Sequence, residues 1–275
     1  MTAFPDLSTL PAEMATDALL TQMFTARLGA PKPWESGLRP EDATVELSDG
    51  SKARIWGDPE ARSPILLAHG FEGRWRQWAR VASAIWTQEG DAAPTVIALE
   101  MPGHGEDAAA REAQPNHPLA FSQAIDLAHE AFGPFQAIVG HSQGAVAAMH
   151  AVAWGVRAER LALIAPLASI EAHLRGVAAL VRLSPPALEL FLQKVTRHVG
   201  VPPSAFEAAR LAPKIIEPSL VIHDREDREA DFGAVQALAS AWPSAELLVT
   251  EGLGHRRILG DLNVAKAVAA FLCAP

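Results

Sequence analysis

The chain has 275 residues, of which 49% are apolar and 20% charged, and its net charge is −9. That composition excludes disordered and fibrous chains, and the length fits one α/β domain with an insertion. The acidic balance, with no lysine or arginine cluster longer than the scattered Arg74, Arg76 and Arg80, argues against a phosphate-rich partner such as nucleic acid.

No window reaches the roughly 18 apolar residues that a spanning helix needs, and the N-terminal stretch has neither a basic nor an apolar leader region. The expectation is a soluble, cytoplasmic protein with no membrane partner. A lone cysteine, Cys273, allows neither an internal disulfide nor a cysteine metal cage, and tyrosine is absent.

In chain order, residues 1–43 read as a proline-punctuated N-terminal arm with one helix over Ala15 to Leu28. Thr44 to Leu47 and Lys52 to Trp56 flank the turn cluster Ser48-Asp49-Gly50-Ser51 and read as a hairpin. Short apolar runs follow at Ile65 to Ala68, Thr95 to Leu99, Ala137 to Val139, Leu161 to Ala165, Leu220 to His223 and Glu246 to Val249. Helical periods separate them at Trp75 to Gln88, Leu119 to Phe132, Ala145 to Trp154, Phe232 to Ala241 and Leu262 to Leu272. This alternation predicts an α/β fold with a mostly parallel sheet covered on both faces. Residues 167–213 show no strand signal, only apolar helical pattern between prolines. They read as a helical cap inserted into a core formed by 44–166 and 214–275.

Gly140-His141-Ser142-Gln143-Gly144 joins a strand to a helix, the setting that a G-x-S-x-G nucleophile elbow requires. A phosphate-binding turn is the competing reading, but neither G-x-G-x-x-G nor a Walker loop is present, so no nucleotide cofactor is expected. His104 and His141 flank the elbow without metal-binding spacing, and no metal is expected. Trp75 and Trp78, three residues apart, read as helix packing or pocket lining.

With His69-Gly70 after the first parallel run and Met101-Pro102-Gly103-His104-Gly105 after the next, the chain resembles the α/β-hydrolase superfamily over roughly residues 44 to 272. Glu100 and Met101 depart from that superfamily's usual turn. The resemblance implies Ser142 as nucleophile and, from the chain order of serine, acid and histidine, His255 as general base. For the acid it points to Asp227, four positions after His223, with Asp224 the alternative. It assigns oxyanion donors to the backbone N–H groups of Phe71 and Gln143, and a structural role to His69.

A serine nucleophile and the absence of tyrosine exclude the dehalogenase and epoxide-hydrolase chemistries. The implied activity is carboxylesterase-like hydrolysis of a small to medium, largely apolar ester. Thioester hydrolysis, carbon–carbon hydrolysis and non-catalytic small-molecule binding remain alternatives. Arg74 and Trp75, in the loop bordering the oxyanion donors, are the candidate substrate contacts. Arg74 either pairs with a substrate carboxylate or with Glu72 and nearby acids.

Overall fold

The computed structural model describes residues 5–61, 63–106 and 108–274. Its strands are β1 (Ala43–Glu46), β2 (Lys52–Trp56), β3 (Ile65–Ala68), β4 (Val96–Glu100), β5 (Phe135–His141), β6 (Ala158–Ile164), β7 (Ser219–Asp224) and β8 (Ala245–Thr250). They form a single sheet in the order β1-β2-β4-β3-β5-β6-β7-β8. The β1–β2 hairpin pairs antiparallel, with Glu46 opposite Lys52, and β2 joins β4 antiparallel; every later pairing is parallel.

The helices are α1 (Ala12–Phe24), α2 (Ala79–Glu89), α3 (Ala108–Ala113), α4 (Pro118–Phe132), α5 (Gln143–Ala153), α6 (Ile170–Leu180), α7 (Pro185–Val199), α8 (Ala208–Leu211), α9 (Phe232–Ser240), α10 (Gly254–Arg257) and α11 (Leu262–Leu272). The mostly parallel α/β architecture follows the periodicity of the sequence, with ends shifted by a few residues. The short α3 has no counterpart in the sequence reading.

The sheet is apolar on both faces because helices cover both. Side chains alternate along β3: Leu66 and Ala68 enter one core layer with Phe121, Ile125 and Met149 of α4 and α5. Ile65 and Leu67 enter the other with Val81 and Ile85 of α2 and Val268 of α11.

Between β6 and β7 the chain runs through α6, α7 and α8 rather than a single crossover. Ser169 caps α6 by accepting from the Ala172 amide, and Ser184 caps α7 by accepting from Ala187, with Pro185 in the first turn. Gly200, at φ 88°, ends α7 in the left-handed conformation.

These helices form a third apolar cluster, in which Leu174, Phe191, Val195 and Phe206 meet Leu19 of α1. The N-terminal segment is therefore docked on the inserted helices. Lys194 of α7 lies 2.6 Å from both Glu13 and Asp17, and the Leu7 amide donates to the Val181 carbonyl at 2.9 Å. Its helix starts and stops earlier than the sequence reading placed it.

Leu19 is fully buried in that joint. Leu19→Ala is expected to lower unfolding stability by about 2–5 kcal/mol in urea titration. A loss of only a few tenths would mean that α1 does not pack there.

Candidate active site

β5 runs into α5 through Ser142, whose backbone stands at φ 52° and ψ −119°, a region that side-chain-bearing residues avoid. Hydrogen bonds hold it: the Ser142 amide donates to Ile164 O at 3.0 Å, and its carbonyl accepts from the Ala145 amide at 3.0 Å. The flanking glycines leave room for this turn. A side chain on Gly144 would collide with the carbonyl oxygens of Ala68 and His69, and one on Gly140 with the backbone of Ala145.

Ser142 at the turn between β5 and α5, Asp227 in the loop after β7 and His255 in the short α10 come together. Ser142 Oγ lies 2.8 Å from His255 Nε2, and His255 Nδ1 lies 2.8 Å from Asp227 Oδ2. Asp227 Oδ1 accepts from the amides of Glu229 and Ala230 at 2.8 and 2.9 Å. Burial opposes the charge of Asp227, but the hydrogen bonds from His255, Ala230 and Glu229 outweigh it and hold its carboxyl below the ordinary value. The arrangement fixes the imidazole with its Nδ1 proton on the carboxylate and its Nε2 lone pair toward the hydroxyl.

Asp224 does something else. Its Oδ2 accepts from Thr250 Oγ at 2.7 Å and the Leu253 amide at 3.0 Å, while Oδ1 accepts from the Glu226 amide at 3.0 Å. It ties the end of β7 to the loop that carries His255, and it makes no contact with the imidazole.

Phe71 and Gln143 face the same cavity as Ser142. Among the described residues, nothing accepts a hydrogen bond from the backbone N–H of either one. The Phe71 loop is pinned by two histidines. His69 Nε2 accepts from the Met101 amide at 3.1 Å, so its Nδ1 carries the proton donated to Gly70 O at 2.8 Å. His104 Nε2 accepts from the Glu72 amide at 2.9 Å, and its Nδ1 donates to Pro102 O at 2.9 Å.

His141 Nε2 donates to His255 O at 2.9 Å, anchoring the opposite loop. Burial lowers all three of these histidines: His69 well below its ordinary value, His104 to about 4 and His141 to about 3.

The cavity has a volume of ≈ 240 Å³. Its lining includes the apolar side chains of Phe24 of α1, Leu167, Leu174 of α6, Val195 of α7 and Phe206, and the polar ones of Glu35, Glu72, Arg74, Gln77 and Arg256. Leu167 and the helices of the insertion thus border the site, as does His173, whose Nδ1 lies 3.3 Å from the Glu229 carbonyl.

One candidate substrate contact, Trp75, needs correction. Trp75 does not line the cavity. It is 4% exposed in the core beneath the sheet, tilted against Trp56 at 5.7 Å between ring centres, with the Arg76 guanidinium 4.1 Å above its ring. The chain turns through a 3-10 helix at Trp75–Trp78, which swings the indole inward.

Arg74 does border the cavity, and its guanidinium donates to the Gly29 carbonyl and lies 3.6 Å from Glu35, so the acid it faces is Glu35 and not Glu72. Its partners belong to the N-terminal segment, which the sequence reading treated as peripheral. Met23, Phe24, Trp34 and Glu35 all border the cavity. No local pattern marks them, because their place is set only by docking.

Residues 65–271 match the alpha/beta hydrolase family. The chain belongs to that family. Similar solved structures agree on the fold. Est1E from Butyrivibrio proteoclasticus has a TM-score of 0.60 at 17% identity, covering 83% of this chain and 97% of that one. A putative lipase from Acinetobacter baumannii AYE has a TM-score of 0.60 at 18% identity, covering 92% and 93%. A membrane phospholipase A, described as a bacterial virulence factor, has a TM-score of 0.63 at 20% identity, covering 95% and 91%. No curated protein sequence matches the chain. Among the described residues of this hydrolase-fold chain, no helix is long and apolar enough to cross a membrane.

The buried histidines set an acid limit. Above pH 6.5 they are neutral both folded and unfolded, so the native state loses nothing. As pH falls from 6.5 toward 4, the unfolded chain takes up protons that buried His104 and His141 refuse, and stability declines. His104 alone accounts for about 3 kcal/mol over this window. The melting temperature is expected to fall steadily between pH 6.5 and 4.5, and a flat profile would contradict the neutral, buried assignment.

Proposed function

We propose that this protein is a serine hydrolase that cleaves carboxylic esters of small to medium, largely apolar molecules through an acyl-enzyme, acting in the cytoplasm. The observation that carries this reading is the unbroken pair of 2.8 Å contacts from Ser142 Oγ through His255 to Asp227, with the hydroxyl facing a half-apolar cavity.

In this reading Ser142 Oγ attacks the ester carbonyl carbon while His255 Nε2 takes its proton. The carbonyl oxygen gains negative charge, and the N–H groups of Phe71 and Gln143 receive it. Their freedom from other acceptors and the position of Gln143 at the start of α5 both support that role. His255 then delivers the proton to the departing alcohol. Water enters, loses a proton to His255 and attacks the acyl carbon, and Ser142 leaves with that proton. Asp227 holds the ring in the required tautomer throughout and balances the charge of the imidazolium.

Ser142→Ala is expected to reduce p-nitrophenyl ester hydrolysis by about three to six orders of magnitude while leaving the melting temperature close to wild type. A fluorophosphonate probe should label Ser142, and labelling of a different serine in peptide mass spectrometry would displace it as nucleophile.

The two aspartates separate cleanly. Asp227→Asn is expected to cost about three to four orders of magnitude in kcat, because the amide no longer fixes the tautomer. Asp224→Asn should chiefly cost stability, about 1–3 kcal/mol, as an amide nitrogen meets donors that need an acceptor. Steady-state kinetics and thermal melts on both variants test this, and the reverse ranking in kcat would exchange their roles.

A further inference from the structure

Five residues that border the cavity carry buried polar atoms with no hydrogen-bond partner: His141 Nδ1 and Gln143 Nε2 on either side of Ser142, and, beyond the Ser142 turn, Trp34 Nε1, Glu35 Oε2 and Gln77 Nε2. The last three bear on what the cavity holds. Glu35 is 9% exposed and Gln77 5%. Neither oxygen of Glu35 accepts a hydrogen bond among the described residues; only the Arg74 guanidinium approaches it, at 3.6 Å. Buried polar groups are nearly always paired, so unpaired ones on residues that border a cavity point to something that pairs with them there.

Their chemistry narrows what that is. A carboxylate only accepts, whereas an indole N–H and an amide nitrogen only donate. A substrate ammonium would meet Glu35 but leave the two donors unpaired. A substrate carboxylate would meet the donors but face the Glu35 charge. A hydroxyl both donates and accepts, and two donors beside one carboxylate suit neighbouring hydroxyls. Arg74 already balances the charge of Glu35, so no ionic group is called for. Phe24, Leu174, Val195 and Phe206, which pack together in one apolar cluster, also border the cavity and offer an apolar surface to a hydrocarbon chain.

We infer that Trp34, Glu35 and Gln77 form a subsite for the polyhydroxylated alcohol of an ester whose acid is apolar. This rests on the hydrolase reading above. Hydrolysis then consumes one water and releases the apolar carboxylic acid and the free polyol. The N-terminal segment supplies two of the three residues, which makes it part of the specificity apparatus.

The test compares 1-octanoylglycerol with propyl octanoate, which has the same acyl chain and no free hydroxyls, using the full-length protein. Wild type is expected to favour the glycerol ester by about tenfold or more in kcat/KM. Gln77→Leu, which leaves the Glu35–Arg74 pair in place, and Glu35→Gln should each lower that preference severalfold, with thermal melts confirming folded protein. A wild-type ratio near one, or variants that slow both esters equally, would overturn the subsite while leaving the Ser142 reading intact. Failure to hydrolyse either ester, together with no fluorophosphonate labelling of Ser142, would overturn both.

Discussion

Ser142 occupies a backbone conformation that a side-chain-bearing residue avoids, and the surrounding structure exists in a form that compels it. The close approach of α5 to β3 and β5 leaves no room for side chains at Gly140 and Gly144. The Ser142 amide is bonded to Ile164 on the neighbouring strand. The serine hydroxyl is thereby lifted out of the chain at the carboxyl ends of the parallel strands, where the loops after β3, β7 and β8 converge on it. A sheet with a different strand order would bring other loops to this point.

Around that turn, precision comes from neutral imidazoles more than from charges. His69 and His104 each use one ring nitrogen on the loop at 70–72, at Gly70 and Glu72, and the other on the turn at 101–102, at Met101 and Pro102, and His141 holds the carbonyl of His255. Burial keeps these rings uncharged, so they serve as rigid two-ended hydrogen-bonding struts. Asp224 does for the His255 loop what the histidines do for the Phe71 loop. A carboxylate with three donors fixes where β7 ends relative to β8.

The cavity joins segments that are far apart in sequence. Its apolar lining comes largely from α1 and the inserted helices, and its polar lining from the N-terminal segment, the loop at 71–77 and Arg256. Arg74 links these parts through Gly29 and Glu35, so a residue in the loop beside Phe71 also seats the arm. The shape of the cavity and the docking of the arm are consequently one structural problem.

The sequence alone determined the alternation of strands and helices, since parallel strands buried on both faces must be short apolar runs separated by amphipathic helices. It also marked Ser142, because a strand-to-helix turn with glycines on either side is a local pattern, and it narrowed the base to His255 and the acid to Asp227 or Asp224 through the order of residues along the chain. Tertiary structure decided everything that depends on direction and docking. It separated Asp227 from Asp224, whose positions three residues apart in one loop aim at different partners. It turned Trp75 into the core, because a 3-10 turn replaces the first turn of the expected helix. It brought Trp34 and Glu35 to the cavity wall, since a segment with no periodic pattern takes its position from the surface that it packs against.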